Sequence, residues 1–236
     1  MRAAITGSLL ATAIVVCLLT VAMGRSEATA SRLQPLPPSE VFLKPAEVAS
    51  VENVSYPTNT TVGGVVVLDL SLTEKAQLTE AGALLDIPAL TSPAASAVQT
   101  WKFRPASTAD MAVPSAMTVA FVYRPPVSIW NPPPFSAALP NPASSTNAVL
   151  PAGILSVAYA DYPPNSVASG AVIVQVALDA SGKIEDTKIL RRIADLDRLV
   201  LAAVKDWKFQ AAQFQGESVK SNVVIVFVFA QPVVVP

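Results

Sequence analysis

Gly170-Ala171-Val172-Ile173-Val174-Gln175-Val176-Ala177-Leu178, followed by Asp179-Ala180-Ser181-Gly182 and then Lys183–Leu190, is the stretch that decides the fold. Val172, Val174, Val176 and Leu178 alternate with Ala171, Ile173, Gln175 and Ala177, which is the period of a strand. The Asp-to-Gly tetrapeptide predicts a turn, and Lys183–Leu190 predicts the returning strand. Leu196, Leu199, Val200, Ala203, Val204 and Trp207 then follow helical spacing, with Asp195 or Asp197 placed to cap the start. Val219, Ser221, Val223, Ile225, Phe227 and Phe229 alternate again. The order is strand, strand, helix, strand. Its simplest packing lays one helix over a three-stranded antiparallel sheet.

The same order occurs twice. Tyr56-Pro57 and Tyr162-Pro163 stand 106 residues apart, as do Gly64 and Gly170, Trp101-Lys102-Phe103 and Trp207-Lys208-Phe209, and Phe121-Val122-Tyr123 and Phe227-Val228-Phe229. Four blocks in register at one offset predict a tandem repeat. The expected fold class is α+β, two modules of β-β-α-β at 48–124 and 154–236. In the first module, Val66, Leu68, Leu70 and Leu72 hold the inward positions, but the turn Thr73-Glu74-Lys75-Ala76 lacks glycine. Ser92-Pro93 predicts the start of its helix.

Around the modules, 31–47 and 125–153 read as Pro-rich linkers. The second carries eight prolines, together with Trp130 and Phe135, which are expected to pack against a neighbouring module. At the N-terminus, Ala3–Gly24 is uncharged between Arg2 and Arg25. Two readings stand: a signal peptide over 1–30, cleaved at Ala28-Thr29-Ala30, or an uncleaved inner-membrane anchor. Either places the modules outside the cytoplasm.

Composition excludes whole classes of chemistry. The 236 residues include no histidine, and the single cysteine, Cys17, lies in the apolar run, so Cys/His metal sites and His-dependent triads are ruled out. A net charge of -1 gives no basic field for nucleic acid. No catalytic residue, metal site or cofactor is expected. Trp101, Trp207, Tyr56 and Tyr162 read as packed aromatics. Arg191, Arg192, Asp195, Asp197 and Arg198 read as a capped, solvated helix start.

Tyr162-Pro163, Gly170, Asp179-x-x-Gly182-x-Ile184, Leu196-Asp197, Ala202-Ala203-Val204-x-x-Trp207-x-Phe209, Gly216 and Phe227-x-Phe229 resemble the TonB C-terminal domain pattern. The match spans the second module and, more weakly, the first. Tyr159-Ala160 and Asn53-Val54 stand where the family has Gln-Pro, and the apolar run has no histidine. The resemblance implies a periplasmic interaction module that binds an envelope protein or peptide segment, an outer-membrane transporter among the candidates. The alternative is an inner-membrane-anchored energy transducer. It also implies that the final strand is a sheet edge able to receive a partner strand. The partner-binding positions expected on that basis are Asn222, Val223, Val224, Ile225, Val226, Phe227 and Val228. Val224, Val226 and Val228 are unusually apolar for a solvated face, which predicts either a cover or a binding surface.

Overall fold

The computed structural model describes residues 43–109, 111–127, 129–141, 149–163 and 166–231. The signal-peptide and anchor readings lie outside the described residues. Among the described residues, no helix is long and apolar enough to cross a membrane.

The first module contains β1 (Leu43–Lys44), β2 (Glu47–Ser50), β3 (Gly64–Leu72), β4 (Leu78–Leu85), α1 (Pro88–Gln99), β5 (Lys102–Arg104), β6 (Ala106–Thr108), β7 (Met111–Val113) and β8 (Ser115–Arg124). The second repeats the series as β9 (Val149–Leu150), β10 (Gly153–Ser156), β11 (Gly170–Leu178), β12 (Ile184–Arg191), α2 (Asp197–Val204), β13 (Lys208–Gln210), β14 (Ala212–Phe214), β15 (Glu217–Val219) and β16 (Ser221–Phe229). The α+β class and the β-β-α-β order of the long elements are as the periodicity predicts. The short flanking strands pair among themselves as β1-β6-β7, β2-β5, β10-β13 and β15-β14-β9.

The two antiparallel units do not stay separate. They join into one six-stranded sheet in the order β12-β11-β16-β8-β3-β4, with β16 and β8 parallel at the centre. Phe227 lies opposite Val122, and Val226 opposite Phe121. Adjacent parallel strands keep paired residues on one face and alternate residues on the other. Trp101 packs on Phe121, whereas Trp207 packs on Phe227, so the two helix ends sit on opposite faces of the sheet. A pseudo-two-fold axis running along the central strands relates the modules.

That symmetry leaves half of each face bare of helix, and the segment leading into the opposite module covers it. On one face, the Val48 N–H donates to Gln175 Oε1 at 3.0 Å, and Asn222 Nδ2 donates to the Ala46 carbonyl at 2.8 Å. On the other, Thr118 Oγ1 donates to the Ala152 carbonyl at 2.6 Å. Val224, Val226 and Val228 are fully buried under this exchange of arms. A single continuous core results.

Local differences from expectation have physical causes. Helix α1 begins at Pro88 rather than at Ser92-Pro93, because Thr91 Oγ1 accepts the Ile87 N–H and donates to the Ile87 carbonyl, closing the first turn. Pro93 therefore lies inside the helix. In α2, Asp197 lies within the first turn, and its Oδ1 accepts the Ile193 N–H at 2.9 Å. In the Pro-rich stretch after β8 the aromatics pack as expected: Trp130 meets Tyr159 edge-on at 5.2 Å, Phe135 lies against the core, and Ala138 bridges Ile154.

Candidate partner-binding site

The expected site at Asn222–Val228 requires an edge strand, and the structure corrects this. Every residue from Val223 to Phe229 pairs with Thr118–Arg124 on one side, and all of β16 pairs with β11 on the other. The cause is the repeat itself. The last strand of each module is apolar on both faces, and the two satisfy one another's backbone. A partner could add to β16 only by displacing β8. The side chains of 223–228 are core, consistent with their uniform burial.

The open edges lie at the far ends of the sheet. Among the described residues, β4 pairs only with β3, and β12 only with β11. The two differ in chemistry. Strand β12 carries Glu185, Asp186, Lys188 and Arg191, with Glu185 bound to Lys220 at 2.9 Å. Charges along an edge are the usual guard against strand pairing. Strand β4, Leu-Thr-Glu-Ala-Gly-Ala-Leu-Leu, carries only Glu80. Sequence alternation could not reveal this edge, because β4 looks like any half-buried strand. The only usable signal was its poverty in charge.

The face beside β4 holds an acidic depression. Asp69, opposite Gly82, and Glu80, opposite Ser71, line a cavity of about 310 Å³ with Asn141. Burial first, then the nearby Glu80 charge, push the Asp69 carboxyl up to about 6. Its Oδ1 is buried and has no hydrogen-bond partner among the described residues. The repeat explains this: Asp69 stands where the second module has Gln175, whose amide oxygen accepts the Val48 N–H. The equivalent donor, the Ile154 N–H, goes instead to the Ala138 carbonyl.

The packed aromatics stand as expected. Trp101 and Trp207 are buried, and Tyr56 and Tyr162 donate to the Val62 and Ala168 carbonyls, each at 2.7 Å. Trp207 Nε1 donates to the Ala158 carbonyl at 2.8 Å. Burial lifts the Tyr123 hydroxyl well above the usual phenol range. Arg124 lies over the rings of Trp130 and Tyr162, at 5.7 and 5.5 Å, and burial lowers its pKa. Among the described residues, no group of three or more acidic, His or Cys side chains could hold a metal ion.

With this geometry in place, residues 159–230 match the family of the Gram-negative bacterial TonB protein C-terminal. The second module carries a TonB C-terminal domain. The matched span runs from just before Tyr162 to the end of β16, so it takes in both the turn glycine and the helix–tryptophan block. The first module lies outside the family match, although it repeats the architecture strand for strand. The TonB C-terminal family is a family of non-catalytic transducer domains that typically bind outer-membrane transporters, and it implies a cell-envelope role with a periplasmic location. No curated protein and no solved structure matches the chain.

Proposed function

We propose that this protein is a periplasmic interaction module that captures an extended segment of an envelope protein by strand addition. The observation that carries the reading is the unguarded edge β4, at the outer limit of a sheet whose other edge is lined with charge. Strand addition draws affinity from main-chain hydrogen bonds, so it needs none of the reactive side chains this chain lacks. The TonB C-terminal domain of the second module supports an interaction role. In this reading the first module supplies the receiving edge and the second anchors it through β16.

Alternate N–H groups of an edge strand point outward, so proline at Ala81 and proline at Gly82 have opposite meanings. One removes an inward N–H and breaks the ladder. The other removes only an outward N–H and leaves the fold intact. Capture from envelope extract should be lost in the folded variant, as judged by circular dichroism, and retained by a side-chain change such as Thr79→Ser. Normal capture by the folded proline variant would sink strand addition at β4.

A second reading, an inner-membrane-anchored energy transducer, is favoured by the uncharged Ala3–Gly24 run. Mass determination of the mature N-terminus separates the two: cleavage after Ala30 leaves no link to a membrane motor.

A further inference from the structure

The pseudo-two-fold axis brings two equivalent places into comparison. In the first module, Gly64 opens β3 with φ at 151°, and a Cβ there would stand 2.5 Å from Ile87 Cδ1 and 3.6 Å from Pro133 Cγ. The run Pro132-Pro133-Pro134 lies against this place, and Tyr159 donates its hydroxyl to the Pro133 carbonyl at 3.2 Å. Glycine, isoleucine and a side-chain donor thus hold a proline-rich stretch by one of its carbonyls.

The second module keeps all three parts. Gly170 replaces Gly64 with φ at 116°, Ile193 replaces Ile87, and Asn53 stands in the position of Tyr159. Asn53 Nδ2 has one long contact, to Ser55 Oγ at 3.5 Å, which leaves it able to donate. Among the described residues, no proline stands within 4 Å of a Cβ at Gly170 as Pro133 does at Gly64, although Pro57 and Pro126 line the space around it. A cavity of about 420 Å³ opens there instead, lined by residues that include Asn53, Tyr56, Thr58, Gly170, Phe229 and Gln231. Among the described residues, no charged side chain lines it.

We propose that this cavity is a binding site for a proline-rich, extended segment of a partner protein, held as the chain holds its own linker in the first module. A polyproline backbone offers carbonyl acceptors and no N–H, so it needs donors and nothing else. The amides of Asn53 and Gln231 and the hydroxyl of Thr58 are such donors, and the absence of charge suits an uncharged segment. This site is separate from the β4 edge and does not depend on strand addition.

The test uses the full chain and a fluorescent peptide of the linker sequence Trp130–Ser136, titrated by anisotropy. Saturable binding is expected. Thr58→Arg, which places bulk and charge in the cavity, should weaken it at least tenfold, and Asn53→Ala several-fold, with unchanged circular dichroism. A peptide with alanine at the three prolines should bind at least tenfold more weakly. Equal binding of the alanine peptide, no saturation, or indifference to both variants would overturn the proposal. So would sensitivity to Tyr159→Phe but not to Asn53→Ala, because the peptide would then be displacing the linker from the first module. Binding of a neutral oligosaccharide at the same residues, in place of the peptide, would assign the cavity to glycans and equally overturn it.

Discussion

The two modules share an architecture but differ in how fully their polar groups are met. The turn after β11 is closed by Asp179, whose Oδ1 accepts the Ser181 and Lys183 N–H groups at 2.8 and 2.9 Å, while Gly182 takes a φ of 82°. These hydrogen bonds, led by the Ser181 hydroxyl, hold the Asp179 carboxyl below its usual pKa. The turn after β3 has Thr73 in place of Asp179, and Ala76 forced to a φ of 57° where the second module has glycine. Trp207 Nε1 has its carbonyl, whereas Trp101 Nε1 is buried with no partner among the described residues. Gln175 is met by the opposite arm, and Asp69 is not. The first module has kept the shape, and Thr73 Oγ1 still accepts the equivalent Lys75 and Gln77 N–H groups at 3.3 and 3.1 Å, but the turn carries a left-handed alanine and Asp69 and Trp101 lack the partners of their counterparts.

The largest test of that comparison is separation. The turn glycine, charged helix face and aromatic-rich last strand of residues 154–236 suggest that the second module should fold by itself. The structure argues otherwise, because β16 would lose β8 along one side and Val224, Val226 and Val228 would lose their cover. Fully burying a side chain of that size contributes about 1.5–3 kcal/mol, so exposing three removes most of the stability of a small domain. Residues 154–236 alone should show no sharp urea transition, and mixing with residues 43–124 should restore one. A sharp transition in the isolated module, at the midpoint of the whole chain, would break the comparison.

A smaller effect is expected at Asp69. A carboxyl whose folded-state pKa is raised favours the folded state while it is protonated. That contribution is complete below about pH 4 and is lost as the pH rises through about 6. Asp69→Asn should therefore stabilise the protein above pH 6 by about 1–2 kcal/mol, a figure that allows for solvent screening of a partly exposed group. The gain should vanish near pH 4. Urea midpoints of the two proteins across that range decide it, and a pH-independent difference would show that packing, not charge, sets the effect.

The smallest is Ala76→Gly. A left-handed alanine costs about 1 kcal/mol, partly offset by the greater unfolded-state freedom of glycine. The exchange should raise stability by about 0.5 kcal/mol, measurable as a shift in urea midpoint. A loss of stability would mean that the Thr73 turn holds Ala76 without strain.

The repeat, the element order, the packed aromatics and the apolar character of β16 are legible in the residues alone. Each is written in local spacing: period two for strands, helical spacing before Trp207, and one 106-residue offset for the whole. The apolar outward positions Val224, Val226 and Val228 called for either a cover or a binding surface. It is the pairing of β16 with β8 and the arm of the first module that cover them. Side-chain alternation reports which face a residue turns to, but strand edges are a matter of backbone pairing, and every residue but proline carries the same N–H and C=O. Whether β16 or β4 is an edge depends on a parallel pairing between strands about a hundred residues apart, which no local pattern encodes. The cavity at Gly170 is of the same kind, since its walls come from both modules and the stretch after β8. Its residues read as ordinary loop until the two-fold relation sets Asn53 beside Gly170.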